Sequence, residues 1–151
     1  MAADPYAVFR PRRGRYVALV FAVVSLVVFV VAAVVVPGED ESASAGWNAA
    51  ERGMLVAVGV IFFLGLMRFA RLRAVPSREG LVVHNLVFTR HLEWAQVLQV
   101  EFAGGSPWVM LELDDTETLA VMAIQRSDGT YAAGEASRLS ALVQHHSTAR
   151  E

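Results

Sequence analysis

The sequence predicts two membrane-spanning helices, followed by a small α+β domain of antiparallel strands closed by one C-terminal helix. Three observations carry this. Long apolar runs with almost no charge fill much of the first half. From residue 72 on, apolar and polar residues alternate at period 2 in short stretches. After Asp128 the apolar period becomes that of a helix. Composition agrees: of 151 residues 55% are hydrophobic and 19% charged, against about 25% charged in an average soluble domain. The mean hydropathy of +0.43 excludes an intrinsically disordered chain, which needs low hydrophobicity and high charge.

The first span is residues 16–36, which hold no charged side chain. As a helix they measure about 31 Å, the thickness of the hydrocarbon core. Eleven of them are valine, which would favour a strand in water. In lipid a lone segment must satisfy its own backbone, so helix is selected. The second span is residues 49–70. Its uncharged centre, Gly53 to Met67, is short. It reaches spanning length with Glu51 and Arg52 at headgroup depth and Arg68 snorkelling at the other end. A buried core helix is the competing reading for a segment of this length. Ala18 and Ala22 on the first helix, and Ala49, Gly53 and Ala57 on the second, form small-residue rows suited to close helix packing in a helical hairpin.

Arginine sets the orientation. Arg10, Arg12, Arg13 and Arg15 precede the first span, and Arg68, Arg71, Arg73 and Arg78 end or follow the second. The loop at 37–48 is acidic, with Glu39, Asp40 and Glu41. The positive-inside rule then places the basic segment 1–15 and the C-terminal domain in the cytoplasm and the loop outside, as in a two-span cell-membrane protein. Ala43-Ser44-Ala45 resembles a signal-peptidase site, but the apolar run is longer than a signal peptide's and the site lies well past its end.

Residues 71–146 form the domain, and 147–151 a tail. Strands are expected near 72–76, 80–85, 88–93, 97–103, 107–113 and 117–124. Leu98, Val100 and Phe102 alternate with Gln99 and Glu101, and Val109, Leu111 and Leu113 with Met110 and Glu112. Turn residues separate them: Ser77 to Gly80, Asn85, Gly104 to Pro107, and Asp114-Asp115. Such spacing predicts a meander that curls into a sheet or barrel of six to seven strands. Ala132, Ala136, Leu139 and Val143 then recur at helical spacing over about 129–146, with Asp128 or Thr130 as the cap.

An ordered set of motifs runs through the chain. It comprises Phe9-Arg10-Pro11-Arg12-Arg13, Arg68-Phe69-Ala70-Arg71, Leu92-Glu93-Trp94, Pro107-Trp108, and Leu119 to Arg126. In these the chain resembles actinobacterial membrane proteins that carry a bacterial PH-like domain, the group that includes the low molecular weight protein antigen 6 type. The resemblance marks Trp94, Trp108, Gln125 and Arg126 as signature residues of the domain. It implies a two-helix anchor and a PH-like fold, and brings no defined activity.

The residues themselves offer little chemistry. Cysteine is absent and all 13 basic residues are arginine, which excludes disulfides, cysteine nucleophiles and a Walker lysine. His84 and His91 fall on neighbouring strands, and His145-His146 lie near the end. None has the spacing of a zinc site. Asp114-Asp115 lacks the calcium-loop pattern. No nucleophile elbow or phosphate loop is present. A net charge of −2 argues against nucleic-acid binding. The expectation is therefore a protein that is not an enzyme and takes no cofactor or metal.

Charge is distributed unevenly. Arg68, Arg71, Arg73 and Arg78 crowd the joint between anchor and domain. From Glu79 to Glu151 there are ten acids and four arginines. Two functions fit. One is a membrane-anchored protein-interaction or scaffolding module, with a protein partner or a second copy of itself. The other is recognition of anionic lipid headgroups by those four arginines. His84 and Asn85 stand on the second strand, where phosphoinositide-binding PH domains carry basic residues.

Overall fold

The computed structural model describes residues 4–37, 47–102 and 104–148. Most of the expected acidic loop, the Ala43-Ser44-Ala45 sequence and most of the tail lie outside the described residues. The chain divides into two compact units. One is Tyr16–Ala70. The other is discontinuous and joins Met1–Arg15 to Arg71–Glu151.

The first unit is helical. Helix α1 spans Arg13–Val35 and α2 spans Ala49–Ala70. Helix α2 starts on a reciprocal cap: Glu51 N–H donates to Asn48 Oδ1 (3.0 Å) and Asn48 N–H to Glu51 Oε2 (2.9 Å). The Arg52 guanidinium donates to the Val36 carbonyl, 2.7 Å away. Both helices are long and apolar enough to cross a membrane, and only 17% and 11% of their most apolar stretches are buried. A core helix of a water-soluble protein would hide its valines. Here Val20, Val23, Val27, Val28 and Val31 are exposed, a surface that water does not tolerate on this scale. Ala18 and Ala22 are buried, but Ala49, Gly53 and Ala57 are exposed. The close approach on α2 is made at Gly59, where a Cβ would come within 2.6 Å of Phe29. Phe29 stacks on Phe62 beside it, ring centroids 5.9 Å apart.

The second unit holds six strands: β1 (Arg73–Pro76), β2 (Gly80–His84), β3 (Thr89–Glu93), β4 (Val97–Glu101), β5 (Trp108–Leu113) and β6 (Thr118–Gln125), then α3 (Thr130–Thr148). They form two separate three-stranded antiparallel sheets, ordered β1-β2-β3 and β4-β5-β6. The expected single curled sheet or barrel is therefore corrected to two open sheets. The break falls between β3 and β4, where Trp94–Gln96 form a 3-10 turn fixed by a capping box between Glu93 and Gln96. That turn redirects the chain before the sheet can continue.

Alternation drives the packing. Val109, Leu111 and Leu113 of β5 and Leu119, Val121 and Ala123 of β6 are buried together with Leu81, Val83 and Leu92 of the first sheet. Strand β4 departs from the expected pattern. A bulge between Val97 and Gln99 shifts its register, so Val97 is buried and Leu98 is 65% exposed. Helix α3 lays Ala132, Leu139, Leu142 and Val143 on the core, with Ala136 partly buried beside them. Asp128 does not cap α3 as expected. Its carboxylate accepts from the N–H groups of Arg12 (2.8 Å) and Arg13 (2.9 Å).

Candidate functional site

The segment before α1 is built into the domain. Phe9 forms an antiparallel bridge with Ala74 of β1, with N–H to carbonyl bonds in both directions at 2.9 and 3.0 Å. Its ring is fully buried in the core, and the Arg138 guanidinium lies 3.9 Å from the ring centroid. Arg138 also donates to the carbonyls of Pro5 (3.0 Å) and Ala7 (2.8 Å), while Glu135 holds it from the other side. Arg12 stacks over Tyr131 at 3.8 Å. The Tyr131 hydroxyl is pushed up in pKa, first by desolvation and then by Glu135. The sequence singles out Phe9 to Arg13 as a motif, but no periodicity joins this arm to the strands. The one available signal is an apolar Phe9 and a Pro11 inside an otherwise basic segment.

Register organises the outer face of the first sheet. The Phe9 bridge sets Arg10 next to Arg73, Arg73 pairs with His84, and His84 pairs with Thr89. His84 Nδ1 lies 3.1 Å from Thr89 Oγ1. Its pKa is lowered by desolvation, then by Arg73 and His91. His91 sits opposite Val82, diagonal to His84. No cluster of three or more metal-ligating side chains occurs among the described residues.

The four arginines singled out from the sequence do not converge. Arg68 lies in the last turn of α2. Arg71 and Arg73 are exposed at the start of β1. Arg78 lies in the β1–β2 turn at the far end of the same hairpin, about 16 Å along the strand from Arg73. There Ser77 organises the turn: its Oγ accepts from the N–H groups of Glu79 and Gly80. The Glu79 carboxyl is held low in pKa, chiefly through Ser77. Arg10, which sequence reasoning did not include among the lipid contacts, joins Arg73 instead.

The signature residues have structural roles. Trp94 is buried, donates from Nε1 to the Ser77 carbonyl (3.0 Å) and stacks on His146 at 5.1 Å. His146 Nε2 lies 2.9 Å from the Tyr6 hydroxyl. Its pKa is lowered by desolvation and then by His145. Trp108 is half-buried and opens β5. Gln125 is buried and donates to the Met122 carbonyl at 3.1 Å. Arg126 donates from Nε to the Ser106 carbonyl at 3.0 Å and lies over Phe102. In the Asp114–Glu117 turn, Arg90 pairs with Glu117 at 2.8 Å and lies 4.0 Å from Asp115.

Uncharacterized proteins of Mycobacterium tuberculosis (strains H37Rv and CDC 1551) and Mycobacterium bovis are 37% identical over 82 residues, which is 54% of this chain and 53% of theirs. The chain thus spans about half the length of the curated relatives it matches. No solved structure matches it. Residues 70–139, which hold all six strands and the first half of α3, match the family described as the bacterial PH domain.

Proposed function

We infer that the chain is an integral membrane protein whose two helices cross the bilayer as a hairpin and present a PH-like domain in the cytoplasm as a non-catalytic protein-interaction or scaffolding module. The discontinuous domain carries the anchoring half of this reading. An arm that precedes α1 and a domain that follows α2 share one core, so both belong on one side of the membrane. The flanking arginines make that side the cytoplasmic one. The likeness to the low molecular weight protein antigen 6 type belongs to this reading too, and rests on the order of the motifs.

The surface of the domain supports an interaction role. Strand β3 ladders only with β2, and β4 only with β5. Open sheet edges are surfaces to which another chain adds a strand. Crosslinking in native membranes, followed by purification, tests this. The expected result is a discrete crosslinked species, either a dimer or a complex with a second protein. Recovery of monomer alone contradicts the interaction role.

A second reading has its own observation. Arg10, Arg71 and Arg73 gather at one end of the first sheet, which suits binding of anionic headgroups. On this reading Arg78, at the other end, contributes little.

A further inference from the structure

The end of the first sheet that carries Arg10 and Arg73 also carries an exposed apolar tip. Arg10, Arg73, His84 and Thr89 form one row across the strands. Beyond that row projects the β2–β3 turn, Asn85 to Phe88. Val87 is 77% exposed and Phe88 51%. The turn is held firmly. Asn85 N–H donates to the Phe88 carbonyl at 3.0 Å. The Asn85 side chain donates to the Ala120 carbonyl (2.7 Å) and accepts from Met122 N–H (3.2 Å), both on β6. Two large apolar side chains are thus displayed on a pre-ordered support, which lowers the cost of burying them against something else.

Chain connectivity says what that is. Arg10 lies three residues before the start of α1, and Arg73 three residues after the end of α2. Three residues reach at most about 11 Å. The turn projects about 7 Å beyond the row, past the end of β1 at which Arg73 stands. The nearby acids are engaged: Glu79 and Glu93 are at the opposite end of the sheet, Asp115 and Glu117 pair with Arg90, and Asp128 accepts from the N–H groups of Arg12 and Arg13.

We propose that Val87 and Phe88 insert into the headgroup region of the bilayer that anchors the chain, with Arg10 and Arg73 on anionic headgroups beside them. The pairing of an apolar wedge with flanking arginines is the chemistry of an interfacial contact. The Arg78 end of the hairpin then points away from the membrane. This rests on α1 and α2 spanning the bilayer.

The absence of cysteine allows a direct test on the full chain. Single variants Val87→Cys, Arg78→Cys and Val24→Cys are labelled with an environment-sensitive fluorophore and reconstituted in nanodiscs of phosphatidylcholine with phosphatidylglycerol. Nitroxide lipids serve as quenchers. The expected result is quenching at 87 at least about threefold stronger than at 78, and a docked-to-undocked ratio reduced on the order of tenfold when Arg10→Gln and Arg73→Gln are combined. Quenching at 87 no stronger than at 78 overturns the proposal. So does a label at 87 shielded from both nitroxide lipid and aqueous iodide, which would mean that protein covers the tip. The label at 24 separates the two claims. Quenching there without quenching at 87 removes only the tip contact, whereas no quenching at 24 removes the membrane anchor itself.

Discussion

Single side chains close the discontinuous domain. Asp128 is buried and accepts two backbone N–H bonds from Arg12 and Arg13. Asp128→Ala leaves both donors without it and is expected to cost about 1–2 kcal/mol, the scale of a lost helix cap. Thermal unfolding of the full chain in detergent measures this, and Asp128→Asn should recover part of the loss. His146 and His84 set a pH dependence. Both are held below the ordinary histidine value, first by desolvation. The unfolded chain therefore binds protons more readily than the folded one. Stability is full above about pH 6.5 and falls as pH drops through that range. Chemical denaturation at pH 7.5 and 5.5 should show the fall, with a shallower slope in His146→Gln. An unchanged slope would remove His146 from this account.

At the scale of elements, what the sequence made legible and what it hid have separate physical causes. Period-2 alternation over β4 and β5, with turn residues between the runs, located all six strands to within two residues at each end. The helical period likewise marked α3. The division into two sheets was not legible, since the break between β3 and β4 falls at the Glu93–Gln96 capping box, a local contact with no period. Leu98 was misplaced for a similar reason, because a bulge inverts parity without leaving a mark in the apolar pattern. The arm was hidden because one bridge and one buried ring make no repeating signal. Small-residue rows on α1 matched buried positions at Ala18 and Ala22. On α2 the row named Gly53 where the tight approach is at Gly59. Gly59→Leu should therefore weaken α1–α2 packing by about 1–2 kcal/mol, and Gly53→Leu should leave it unchanged. Steric-trap unfolding in bicelles distinguishes the two.

At the scale of the whole molecule, the near-neutral charge and high hydropathy are averages over unlike parts. Most of the exposed apolar side chains belong to the two helices, and the acidity to the domain from Glu79 on. The arm gives that division a topological consequence. A domain assembled from both sides of a helical pair folds only if both of its pieces reach the same compartment. On the proposed two-span topology, insertion of one helix alone would part the arm from the domain and leave the core without the buried Phe9 ring. On the proposed topology the arginines on either side of the pair would act twice, fixing orientation during insertion and lying at the headgroup level afterwards.

The most direct test of the central claim uses the native absence of cysteine. Single variants Ala7→Cys in the arm, Ser44→Cys between the helices and Asp115→Cys in the domain are treated with a membrane-impermeant maleimide in intact cells and in inverted vesicles. Labelling of 44 alone in cells, and of 7 and 115 together in inverted vesicles, is the predicted result. Labelling of 7 and 115 from opposite sides of the membrane would contradict a domain built from both.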